Sequence, residues 1–163
     1  MINTCIKVNG TTASYPSRGQ TGDFSAHLAA ILPLLHQRST LIAIEGHSGT
    51  GKSGLAHVLS HNLDNVTCID TLELKIKQRT RDLDIEFNDV DSLYVIDELI
   101  NCSEDTLHRL ADHIKAKGKA IVLMQGREFL SLELAPLFPN IIWMNIDHSG
   151  CTLIEKEKHH ENA

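Results

Sequence analysis

The thirteen residues Leu41-Ile42-Ala43-Ile44-Glu45-Gly46-His47-Ser48-Gly49-Thr50-Gly51-Lys52-Ser53 constrain this chain more than any other stretch. Leu41 to Ile44 are apolar and read as a short buried strand. A glycine-rich turn follows, and then Lys52-Ser53 opens a run with Leu55, Val58 and Leu59 at helical spacing. Gly46 to Ser53 fits the phosphate-binding pattern G-x-x-x-x-G-K-[ST], in the strand–loop–helix context the pattern needs. The residue types follow from the chemistry. Gly46, Gly49 and Gly51 allow successive backbone N–H groups to turn inward around phosphate oxygens, with His47, Ser48 and Thr50 supplying the remaining loop amides. The helix N-terminus adds partial positive charge. Lys52 would reach the outer phosphates, and the Ser53 hydroxyl would ligate Mg²⁺. An ordinary Gly-rich strand-to-helix turn would not explain a Lys directly after the last glycine.

The rest of the composition narrows the field. A chain of 163 residues fits a single domain with one core. The formal net charge of −6 gives no global basic field, so a nucleic-acid partner would need a local patch. Cys5, Cys68, Cys102 and Cys151 are scattered without metal-ligand spacing. With no signal peptide visible, they read as reduced thiols of a cytoplasmic protein. No apolar run approaches the ~20 residues of a membrane span. The ten histidines are dispersed, and the close sets His57/His61, which share a helix face, and His159/His160 lack acidic or cysteine partners at useful spacing, so surface histidines are the simpler reading.

In chain order, residues 1–40 form an N-terminal extension. Cys5 to Val8 reads as a short strand, and Asn9 to Gln20, rich in Thr, Ser, Gly and Pro, reads as loop. Asp23 or Ser25 would cap a helix carrying Phe24, Leu28, Ile31, Leu32 and Leu35, kinked or cut short by Pro33. After the Lys52 helix and a turn at 62–65, Val66 to Asp70 reads as a second strand ending in an acid. Thr71 to Asp91 reads as a helix followed by a loop or short extended arm. It is basic first (Lys75, Lys77, Arg79, Arg81) and acidic afterwards. Those four cations are the local patch a nucleic acid could use. A solvated surface with self-neutralising charge is the simpler account.

Leu93-Tyr94-Val95-Ile96-Asp97-Glu98 is the second strong signal. A strand buried on both faces would look like this, with its two acids at the sheet edge where ligands collect. Asp97 there can hold Mg²⁺, and Glu98 can polarise an attacking water. Ser103 or Glu104 then starts a helix stopped by Gly118, and Ala120 to Met124 is another buried strand. Gln125 at its tip would face the terminal phosphate if that strand lay between the first two, where it could orient water; a satisfied polar residue at a strand end is the alternative. Glu128 to Leu137 reads as a short helix, Ile141 to Ile146 as the last core strand, Cys151 to Ile154 as a returning hairpin strand, and 155–163 as a frayed tail.

Taken together, residues 41–146 resemble the ASCE division of P-loop NTPases, which includes AAA-type, RecA-type and secretion or packaging ATPases. Gly46 to Ser53 resembles the AAA-type P-loop in its G-x-x-G-x-G-K-[ST] spacing, and Val95-Ile96-Asp97-Glu98 resembles a Walker B strand with its catalytic Glu. The resemblance implies a three-layer α/β sandwich around a mostly parallel five-stranded sheet, with strand 120–124 inserted between the P-loop and Walker B strands. It implies ATP and Mg²⁺ as ligands, and hydrolysis by an activated water with Lys52, Glu98 and Gln125 in catalytic positions. It also implies an N-terminal segment packed beside the nucleotide. A full AAA-type protein carries a C-terminal helical lid with a sensor arginine, for which 147–163 leaves no room. Arg79, Arg109 and Arg127 qualify as an arginine finger only by residue type. The expectation is therefore a minimal core acting with a protein partner or as a homo-oligomer.

Two other classes remain open on sequence. A small-molecule or nucleotide kinase would suit the P-loop spacing and the acid Asp70 near an acceptor hydroxyl. Asp97-Glu98 suits water activation better, and no arginine-rich lid is visible beyond Arg79 and Arg81. A nucleotide-switched binding module with little turnover would also keep the loop, although Lys52, Ser53, Asp97 and Glu98 together favour hydrolysis.

Overall fold

The computed structural model describes residues 6–16, 18–130 and 132–159. Its centre is a six-stranded sheet. Strands β4 (Thr40–Glu45), β5 (Val66–Asp70), β6 (Leu93–Asp97), β7 (Lys119–Met124), β8 (Asn140–Asp147) and β9 (Gly150–Lys158) lie in the order β5-β6-β7-β4-β8-β9. All neighbours are parallel except β8 and β9, which form an antiparallel hairpin. The strand after the P-loop in space is thus β7, placed between β4 and β6 as the resemblance implied. This strand order, with the glycine-rich loop at the carboxyl end of β4, is the α/β arrangement that the P-loop resemblance implied.

Apolar residues cover both faces because β4, β6 and β7 are continuous hydrophobic runs, which parallel strands buried on both sides require. Leu41, Ala43, Tyr94, Ile96, Val122 and Trp143 point to one side and pack with Leu107, Leu110, Ala111 and Ile114 of helix α4 (Glu104–Lys115). Their alternate neighbours Ile42, Ile44, Val95, Ile121, Leu123 and Met144 point to the other. There they meet Leu55, Val58 and Leu59 of α2 (Lys52–Asn62), and Leu28 and Ile31 of α1 (Ser25–Ile31). The period-2 alternation of each strand therefore assigns the two helical layers, giving the three-layer sandwich.

The sheet has one strand more than the five expected. The hairpin at 150–158 joins it along the whole of β8 and reaches further than Cys151 to Ile154. Residues 155–158, read as tail, belong to β9: Glu155 pairs with Trp143 and Glu157 with Ile141. Their charge matches an edge strand, where outward side chains stay in water and deter further pairing.

Three further expectations are corrected. Asn9 to Gln20 is not loop. It contributes to an antiparallel meander of β1 (Lys7–Asn9), β2 (Thr12–Tyr15) and β3 (Gln20–Asp23). Gly10, at φ +57, turns β1 into β2, and only Ala13 of the four β2 residues is fully buried, so the strand carries almost no hydrophobic alternation to read. The strand read at 5–8 runs instead from Lys7 to Asn9, and Cys5 lies outside the described residues. The stretch 128–137 is not an α-helix but two 3₁₀ turns, Arg127–Phe129 and Ala135–Leu137. Leu130, Ala135 and Phe138 are each buried, so the chain follows the core rather than forming its own helical face. As expected, α1 ends early, passing at Leu32 into a 3₁₀ turn that holds Pro33.

Candidate phosphate-binding site

The carboxyl ends of β4, β5, β6 and β7 share one edge of the sheet. Asp70 and Asp97 stand level in register, as do Asp97 and Leu123. A cavity of about 380 Å³ opens there, walled by the P-loop, the tip of β6, the start of helix α3 (Thr71–Gln78) and the N-terminal meander.

The P-loop takes its shape from its glycines. A Cβ on Gly46 would lie 2.5 Å from Ile146 Cγ2 and 2.9 Å from the Ile146 carbonyl oxygen, so no larger residue fits beside β8. The Gly46 amide donates to Met124 O at 3.1 Å, which ties the loop to β7. Gly49 and Gly51 adopt φ of +85° and +96°, where a side chain would be strained. Within the loop the Thr50 hydroxyl donates to His47 O at 2.8 Å. Lys52 is buried and folds back over the loop, donating to Gly46 O at 2.6 Å and His47 O at 2.9 Å. Burial depresses its ammonium pKa, while Glu98 and Asp97 oppose that shift. His47, Ser48 and Gly49 are exposed.

Ser53 and Asp97 come from strings 44 residues apart, and the Ser53 hydroxyl donates to Asp97 Oδ2 at 2.7 Å. Asp97 is 8% exposed, and burial raises its pKa against the pull of that hydrogen bond. Its other oxygen, Oδ1, is buried without a hydrogen-bond partner among the described residues. An orphaned buried carboxylate oxygen beside a hydroxyl is a donor set that suits a hard divalent cation such as Mg²⁺. Glu98 follows, half-buried in the cavity wall, its pKa also raised by burial. Its backbone lies at φ 65°, ψ 80°, a conformation non-glycine residues rarely hold.

Gln125 is exposed at the end of β7 and is not among the residues lining the cavity, although β7 has the predicted neighbours. The arginines singled out by type lie elsewhere. Arg127 pairs with Glu155 and Glu157 and stacks 4.3 Å over Trp143, Arg109 donates to Ile85 O at 3.2 Å, and Arg79 ends α3. Lys75, of the basic patch, is half-buried and donates to Asn101, whereas Lys77, Arg79 and Arg81 are exposed. His57 lines the cavity without His61, and no group of three His, Cys, Asp or Glu with metal-holding geometry occurs among the described residues. Burial pushes the thiols of Cys68, Cys102 and Cys151 up to about 11, 12 and 12, so they stay protonated and unreactive.

The meander supplies what the motifs did not point to. Tyr15, Arg18 and Gln20, from the β2–β3 turn, line the cavity opposite the P-loop. Phe24 presses on the first turn of α2, where Cβ atoms added to Gly51 and Gly54 would come within 3.2 and 2.8 Å of its ring, and the Tyr15 hydroxyl lies 3.0 Å from a Cβ built on Gly54. Gly54, directly after Ser53, was the one available signal: its lack of a side chain admits this aromatic pair.

No protein-family model matches the chain, and no curated protein matches it. Among solved structures it is similar to the N-terminal domain of zonular occludens toxin from Neisseria meningitidis, at 15% identity, TM-score 0.47, with 78% of this chain and 87% of that one covered. It is also similar to the Legionella pneumophila ATPase DotB, at 12% identity, TM-score 0.40, with 77% of this chain covered. The chain spans about half of DotB, 48% of its length.

Proposed function

We propose that this chain binds ATP with Mg²⁺ and hydrolyses it through a water activated by Glu98, working with a protein partner or as a homo-oligomer. The observation that carries the proposal is the Ser53–Asp97 hydrogen bond with Asp97 Oδ1 left unpartnered, beside Glu98 and the P-loop. Ser53 and Asp97 would hold the metal, which when bound neutralises phosphate charge. The P-loop amides and Lys52 cradle the phosphates, with Lys52 exchanging its contacts to Gly46 O and His47 O for phosphate oxygens. Glu98, as a carboxylate, accepts the proton of the attacking water. Gln125 enters only if the β7 tip turns inward on binding. Arg18 adds a second cation to the cavity, and Tyr15 and Gln20 line it alongside. Exposed Leu72 and Ile76 on α3 and Ile100 next to it favour a partner covering that side.

Phosphate release measured without acceptor, with and without DNA, tests this reading. Lys52→Ala should lower turnover by about 10²–10³-fold, the scale of one lost charge-stabilising donor. Glu98→Gln should bind ATP and fail to turn it over. Unchanged turnover in Glu98→Gln removes Glu98 as the base. The kinase reading is weaker because Asp70 Oδ1 accepts the Glu73 amide at 3.0 Å as the cap of α3, which holds that carboxylate in a structural role. ADP formation only in the presence of a small alcohol or a nucleoside monophosphate would revive it. Nucleotide binding without either reaction would favour the switch module. Mass measured with and without ATP reads the oligomer.

A further inference from the structure

The left-handed backbone at Glu98 needs something to hold it, and the structure provides a buried polar device for that purpose. Thr71, the first residue of α3, is fully buried. Its hydroxyl lies in short hydrogen-bond contact with Asp97 O and 3.0 Å from Glu98 O. A hydroxyl has one proton, so Thr71 serves these two carbonyls as a shared donor. The Asn101 side-chain amide donates to Thr71 Oγ1 at 3.0 Å, which occupies the oxygen and turns its proton toward the carbonyls. Lys75 Nζ donates to Asn101 Oδ1 at 3.1 Å, and this fixes the orientation of the Asn101 amide, because a flipped amide would set its NH₂ against the ammonium. The Asn101 backbone N–H closes the turn on Glu98 O at 3.2 Å. The peptide groups on either side of the Glu98 Cα are therefore pinned from α3 and from the 3₁₀ turn Leu99–Asn101 together.

We infer that Thr71, oriented by Asn101 and Lys75, is a positioning residue that holds the Asp97–Glu98 peptide so that the Glu98 carboxylate stays aimed into the phosphate cavity. The inference rests on Glu98 being the base of the proposed hydrolysis. Thr71 is fully buried and is not among the residues lining the cavity. Its effect passes through the backbone, so it governs the chemical step and leaves nucleotide binding to the P-loop.

The test is a set of variants of the full chain: Thr71→Val, Thr71→Ser, Asn101→Ala and Glu98→Gln, each measured for nucleotide Kd with a fluorescent ADP analogue, for kcat, and for Tm. Thr71→Val keeps the shape and removes the donor. It should lower kcat by about 10–100-fold, the range ascribed to small misplacements of catalytic groups, with Kd within about twofold of the parent. Thr71→Ser should restore most of kcat, and Asn101→Ala should fall between. In the Glu98→Gln background Thr71→Val should cost nothing more, because the group it positions is already gone. A folded Thr71→Val with parental kcat overturns the inference, as does an equal loss in Thr71→Ser, or a Kd that weakens in step with kcat. If Thr71→Val does not fold, Asn101→Ala decides by the same readouts. The failure of the underlying reading looks different: Glu98→Gln itself would then keep full turnover.

Discussion

The two walls of the phosphate cavity are built in opposite ways. One wall, the P-loop with Asp97 and Glu98, consists of two contiguous strings in which Lys52 and Asp97 are buried and hydrogen-bonded and Gly49, Gly51 and Glu98 hold a constrained backbone. The other, the β2–β3 turn with Tyr15, Arg18 and Gln20, consists of separate residues on a small meander held mainly by Phe24 and Ala13 against the P-loop helix. The first wall suits chemistry because its reacting groups are set by hydrogen bonds and backbone geometry. The second can be rebuilt without disturbing the sheet, which suits it to selecting what enters rather than to reacting with it.

The sharpest way to break this contrast is at Gly46. Gly46→Ala forces a Cβ against Ile146 and should abolish ATP turnover while lowering Tm, by about 2–3 kcal/mol of overpacking, read in thermal or urea unfolding. On the opposite wall, Phe24→Ala should destabilise by about 3 kcal/mol, since the side chain is only 5% exposed, and should weaken nucleotide affinity through a loosened meander. Retained affinity in that variant would separate the meander from the site. Arg18→Ala should weaken ATP binding by about tenfold without moving Tm, a surface cation contributing on the order of 1 kcal/mol to a phosphate contact. If it left Km unchanged, the second wall would have no electrostatic role.

Two effects of burial sharpen the first wall further. Burial raises the Glu98 pKa, so the protonated and inactive form persists above the ordinary Glu range. Turnover should fall on acidification, with its midpoint higher than a solvent-exposed Glu gives, in a pH profile of kcat. Asp97 has the same sign. A carboxyl whose folded pKa lies above its unfolded value loses stability as pH rises from the unfolded toward the folded pKa. Asp97→Asn should therefore raise stability at neutral pH, read as a higher Tm, while removing activity, a trade expected where function keeps a charge buried.

Legibility followed contiguity. Gly46 to Ser53 and Leu93 to Glu98 were readable because each string carries its backbone type, its hydrophobic run and its polar tip in one place. The insertion of β7 beside β4 came from the resemblance, and Ser103, whose hydroxyl accepts the Thr106 amide at 3.1 Å, came from ordinary capping chemistry. The meander stayed hidden because β2 buries a single residue and β3 none. Thr71 entered the sequence reading only as the first residue of the 71–91 segment, since nothing in its own surroundings along the chain announces a bond to a carbonyl 26 residues away. Gln125 shows the reverse case: the right strand position does not aim the side chain.

By itself the sequence determined that a strand, a glycine-shaped loop and a Lys-Ser helix start would form, and that a buried strand would end in Asp97-Glu98, because these depend on local backbone freedom and hydrophobic period. The tertiary structure decided what meets at the sheet edge. It joined Ser53 to Asp97, left Asp97 Oδ1 unpartnered, set Glu98 in a left-handed backbone beneath Thr71, and brought Arg18 across from the meander. Those pairings arise from packing separate elements against one sheet, and the energy that specifies them lies between segments that no local pattern connects.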